Sequence, residues 1–208
     1  MDKNRLEAFS DGVLAIIITI MVLELSLPVG DGIKDFAGIL PLLLTYVLSF
    51  FFVAIYWVNH HIMFSLTERV NLKILWMNIV WLFVISLIPF TTAWVGKYPT
   101  SWAPLSVYFA DMALACITFH IMYALVLREK GQKVKFDVRN ITSLIVYALA
   151  AGLGGFCPIA AFVIVALVSL WWVIPMKQNK SVASYSVAEM SKVETADEQP
   201  TRDEKKGE

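Results

Sequence analysis

Of 208 residues, 58% are hydrophobic and the mean hydropathy is +0.68, against roughly 45–50% apolar residues in soluble domains, so the chain is built for a bilayer rather than for water. Lys and Arg number 17, as do Asp and Glu, which excludes a global charge suited to nucleic acid or another polyanion. Cys116 and Cys157 both stand in apolar stretches and read as small buried hydrophobes rather than as a disulfide or a zinc site.

A spanning helix needs about 20 mainly apolar residues to cross roughly 30 Å of hydrocarbon. Six segments meet or approach that length. The first runs from about Leu6 to Leu27 and is stopped by Pro28; lacking a basic leader with a small-residue cleavage site, it reads as retained. The second, Phe36–Leu66, holds no Asp, Glu, Lys or Arg and has Pro41 near its start, where proline is tolerated. The third, Leu72–Val95, contains Pro89 and is expected to kink or lose regular hydrogen bonding one turn before Gly96. The fourth is Trp102–Leu127. The fifth and sixth share Asn140–Met176, which Gly152, Gly154, Gly155 and Pro158 divide into two short helices. The fold class is therefore an all-α membrane protein with six transmembrane helices. Residues 1–178 form the transmembrane domain, and residues 179–208, rich in Ser, Lys, Glu and Asp, read as a polar, disordered cytoplasmic tail. No internal repeat relates the first three spans to the last three.

Six spans with both termini cytoplasmic place Lys3, Arg5, Arg69, Lys73, Arg128, Lys130, Lys133, Lys135, Arg139 and every Lys or Arg of the tail inside. Only Lys34 and Lys97 fall outside, as the positive-inside rule requires. Trp94, Tyr98 and Trp102 then cluster at the outer interface as an aromatic belt.

Ionisable residues inside a membrane default to function or to a buried network. Counting about 1.5 Å per helical residue puts Asp11, Asn59, His60, His61 and Asn78 at one depth near the cytoplasmic end. Asp11 with His60 or His61 is the expected pair. The group reads either as a network locking three helices or as a proton relay, since histidine titrates near neutrality. A metal site is disfavoured because adjacent His60 and His61 point about 100° apart. Asp111 and His120 lie nine residues apart on the fourth span and are not partners; Glu24, near the outer end of the first, either attracts cations or reaches the headgroups. On the first helix Ile16, Ile20, Leu23 and Leu27 share a stripe bordered by Thr19, with Asp11 on the far side. The remaining positions are equally apolar, so periodicity leaves the lipid-facing stripe open, and Thr19 can simply bond its own backbone.

Arg5-x-x-x-Phe9-Ser10-Asp11 at the first of six spans, followed by Ile16-Ile-Ile-Thr19-Ile20-Met-Val-Leu23, resembles the signature of the transmembrane protein 175 family, the endosomal and lysosomal potassium channels and their bacterial relatives. Trp57-x-x-His60-His61 and Asn71, Asn78 and Pro89-Phe90 are similar too. The resemblance implies a potassium-permeable channel in a prokaryotic plasma membrane, with four copies assembled so that the first helix of each lines a central pore. It places Ile16, Thr19, Ile20 and Leu23 on the pore, Ile16 as the apolar constriction and Thr19 as a hydroxyl layer. It assigns Arg5, Phe9, Ser10 and Asp11, with His60, His61 and Asn78, to a structural network. It implies no cofactor beyond the permeant potassium ion, and partners limited to further copies and the bilayer. No Thr-Val-Gly-Tyr-Gly filter and no Arg-rich voltage sensor occur, which predicts modest selectivity. The alternative is a proton-coupled secondary transporter using Asp11 and His60 or His61. An enzyme is disfavoured by the lack of a phosphate-cradling glycine loop, zinc-ligand spacing or a nucleophile with its base.

Overall fold

A computed structural model describes residues 2–67, 70–132 and 138–173. The expected polar tail, residues 179–208, lies outside the described residues. Among the described residues, seven helical segments follow in order: α1 (Lys3–Leu23), α2 (Ile33–Ser65), α3 (Leu72–Ile85), α4 (Ile88–Lys97), α5 (Trp102–Glu129), α6 (Val138–Leu153) and α7 (Pro158–Trp171). Because α3 and α4 continue one another across residues 72–97, they form six rods, four of them long and apolar enough to cross a membrane. With 16 and 14 residues, α6 and α7 reach only about 24 and 21 Å.

Local chemistry sets the helix ends. The side chains of Asp2 and Asn71 accept from backbone N–H groups of α1 and α3, and Asp35 accepts from the N–H of Gly32 at 3.1 Å, each satisfying a donor that the first turn leaves free. Gly131, with φ 66°, closes α5. Around it Gln132 N–H donates to the Leu127 carbonyl and Gly131 N–H to that of Arg128, both at 3.0 Å, the paired bonds of a Schellman turn. The first helix ends at Leu23 rather than Leu27, and Pro28 disfavours a helical conformation at Leu27, so the helix does not resume there. The interruption of the third span falls at Ser86 and Leu87, earlier than expected. Pro89 has no N–H and its ring clashes with the carbonyl four residues back, at Ile85, the last residue of α3.

α5 occupies the centre of the helix bundle, burying Leu105, Phe109, Met112, Phe119 and Met122 against α3, α4 and α6. Ser49 of α2 bonds Thr92 of α4 at 2.7 Å and Tyr108 of α5 at 2.9 Å, so one hydroxyl ties three helices. Asp111, which had no expected partner, accepts from Thr91 at 3.1 Å. Cys116 is buried as expected, but Cys157 is exposed, because it caps α7 in the turn after α6 instead of lying within a helix. Helices α2 and α4 approach closely at Gly96, where a β-carbon would sit 2.9 Å from Leu42 Cα. Gly96→Ala is expected to destabilise the fold by about 1–3 kcal/mol, read as a lower melting temperature in detergent, because backbone cannot step aside as a side chain can.

α1 lies against α2, α3 and α4, while α6 and α7 pack on α5, α2 and each other. This leaves one side of α1 uncovered by the described helices.

Candidate functional site on the first helix

The buried residues of α1 are Leu6, Ser10, Leu14, Ile17 and Met21, spaced by three or four and so forming one face. On other sides Phe9 is 59% exposed, Ile16 59%, Ile20 41% and Leu23 81%. Thr19 is also exposed, and its hydroxyl donates to the Ile16 carbonyl at 2.7 Å. This back-bond satisfies the hydroxyl hydrogen and leaves oxygen lone pairs free to accept. The face therefore offers an apolar strip with one acceptor oxygen, that of Thr19, along its edge.

Behind it, the structure brings together three of the residues expected in a polar network. Ser10, His60 and Asn78 are each at most 1% exposed. The His60 Nε2 to Asn78 Oδ1 distance is 2.9 Å, and because Oδ1 can only accept, Nε2 is the donor. Asn78 Nδ2 donates to Ser10 Oγ at 2.9 Å, and Ser10 Oγ donates to the Leu6 carbonyl at 2.9 Å. The bonds thus run one way, from α2 through α3 to α1. His60 is further held by stacking on Trp81, with ring planes 15° apart. A carboxamide in the middle does not take up and release protons near neutrality, which suits a tie between helices better than a proton relay.

The other candidates lie elsewhere. Asp11 does not bond His60 or His61; its Oδ1 accepts from Trp57 Nε1 at 2.9 Å, and both residues are exposed. One residue beyond Ser10 turns a side chain by about 100°, carrying Asp11 out of the α1–α3 seam and onto the flank facing α2. His61, three-quarters exposed, places Nδ1 3.6 Å from Glu7 Oε1, and Lys3 Nζ stands 3.9 Å from Glu7 Oε2. Arg5 and Phe9 are exposed and take no part in the buried chain of bonds. Residue reasoning passed over Trp57 and Glu7. Trp57 was visible as an indole donor one helical turn before His60 and His61, at the depth of an unpaired carboxylate.

Apolar helices with a buried inter-helix tie and an uncovered face on the first helix define a multi-pass membrane protein. A family described as the endosomal/lysosomal potassium channel TMEM175 matches residues 5–89. A potassium channel of Chryseobacterium sp. (strain P1-3) is 41% identical over 184 residues, covering 86% of this chain and 96% of that protein. A potassium channel of Streptomyces collinus is 34% identical over 130 residues, 59% of this chain and 63% of its own length. The crystal structure of a lysosomal potassium-selective channel TMEM175 homolog from Chamaesiphon minutus superposes with a TM-score of 0.69, covering 82% of this chain and 96% of that one at 24% identity, a likeness of fold. The chain belongs to the TMEM175 family, which is one of channels rather than enzymes.

Proposed function

We propose that the chain is a potassium-permeable cation channel whose conduction path is lined by α1 in an assembly of four copies. The observation that carries this reading is the uncovered face of α1, bearing Ile16, Thr19, Ile20 and Leu23, in a chain that covers nearly the whole of a relative named a potassium channel. A helix face apolar enough for lipid but placed at the edge of the subunit is what a pore between copies requires. In this reading Ile16 forms the constriction, which selects by width and hydration, and Thr19 supplies oxygen to a passing ion. Conduction needs no cofactor. The excess of Lys and Arg on alternate connections supports cytoplasmic termini in a prokaryotic plasma membrane. The proton-coupled alternative lacks a direct Asp11 pair with His60 or His61, since these residues bond elsewhere.

The test is potassium-driven flux into liposomes holding the purified protein. Wild type is expected to conduct without a proton gradient, and Thr19→Val, which keeps the shape and removes the oxygen, to slow flux by about ten-fold, a barrier change of about 1.4 kcal/mol. No wild-type flux at any of several voltages would refute a channel. Flux that saturates at low rates and requires a proton gradient would favour transport.

A further inference from the structure

The uncovered face of α1 does not stop at Ile16. At about 100° per residue, Arg5, Phe9 and Gly12 fall within about 40° of Ile16 around the helix, as do Ile20 and Leu23. All six are exposed. One open stripe therefore runs the length of α1, from a guanidinium near its start to an apolar outer half.

The acidic groups near Arg5 are engaged elsewhere. Glu7 has Lys3 Nζ at 3.9 Å and His61 Nδ1 at 3.6 Å, and it lies about 180° around the helix from Ile16. Asp11 accepts from Trp57. Asp2, just before the helix, accepts from the Asn4 N–H at 3.2 Å and caps α1. Arg5 makes no ion pair among the described residues, and between it and Ile16 the stripe holds only Phe9 and Gly12. The backbone adds a field of the same sense. The first turn of α1 has no acidic residue and the last turn no basic one, so the positive end of the helix dipole lies near Arg5 and the negative end beside Glu24, which is also exposed.

We propose that Arg5 lines the vestibule at the N-terminal end of the conduction path and makes the channel pass potassium more readily from the Glu24 end than from the Arg5 end, an inference that rests on the path along α1 proposed above. In four copies Arg5 forms a ring of positive charge about 16 Å from the Ile16 constriction. Like charge lowers the local potassium concentration at that mouth, while Glu24 and the helix C-terminus raise it at the other. Both effects act through water, so they fade as the screening length falls from about 10 Å in 0.1 M salt to about 3 Å in 1 M.

The experiment compares single-channel currents of the full chain in planar bilayers at equal voltages of opposite sign, with the same KCl solution on both sides. Wild type is expected to pass about two-fold more current in one direction at about 0.1 M KCl and nearly equal currents at about 1 M. Arg5→Gln, which keeps a polar side chain and removes the charge, should lose most of that excess at low salt. Arg5→Lys should keep it, and both variants are checked for wild-type elution. Equal wild-type currents at low salt, or an asymmetry unchanged at high salt, would overturn the proposal from the wild type alone. So would the same current ratio in Arg5→Gln. A wild type that conducts no potassium would refute the conduction path itself, and the role of Arg5 with it.

Discussion

Replacing Ile16 with Asn is expected to raise potassium flux into liposomes by about ten-fold and to narrow the preference for potassium over sodium, because an amide keeps an apolar constriction wet. Ile16 is 59% exposed and opposite the packed side of α1, so its side chain does little for the fold of its own subunit. The melting temperature in detergent should therefore move little, consistent with a stability change within about 0.5 kcal/mol for a surface position. Unchanged flux with a clear loss of thermal stability would move Ile16 from the conduction path into a contact between subunits.

Asn78→Leu is expected to give the larger stability loss. It keeps the branched outline and number of side-chain heavy atoms, so no cavity complicates the result, but it removes both bonds that join His60 to Ser10 through α3. Leaving the His60 N–H and the Ser10 oxygen buried without that partner should cost about 2–3 kcal/mol. Asp11→Ala breaks only the exposed bond to Trp57 and should cost about 1 kcal/mol or less, in the range of interhelical bonds in membranes. Thermal melting of the two variants side by side gives the order directly. A larger loss at Asp11 would make the Trp57 contact, on the outer flank, the main fastening of α1. Neither variant should shift ion preference as Ile16→Asn does.

The residues of the buried tie were visible in the sequence, but their pairing was not. Depth along a helix follows from residue count at about 1.5 Å each, and this put Asp11, Asn59, His60, His61 and Asn78 near one level, with Ser10 added by the motif. At that level several pairings satisfy the same donors and acceptors. The structure chose His60–Asn78–Ser10 and gave Asp11 to Trp57. Asp111 had no assignable role because its partner, Thr91, lies on a segment whose rotation is set by the break before Pro89. Arg5 and Phe9 were grouped with the network by motif, yet the buried stripe of α1 runs through Leu6 and Ser10 and leaves both outside it.

Apolar run length and helix breakers are local properties, and they were enough to establish an all-helical membrane protein, its six rods and the break between α6 and α7. The nearest-neighbour geometry of Pro28, Pro89, Gly131 and Pro158 acts within a turn or two of each residue. Which face of α1 is covered is not a local property. Nearly every side of that helix is apolar, so its hydrophobic pattern is satisfied equally by lipid, by neighbouring helices or by another subunit. Only the packing of α1 onto α2, α3 and α4 fixed its rotation, burying Ser10 and leaving Ile16, Thr19, Ile20 and Leu23 on the open side.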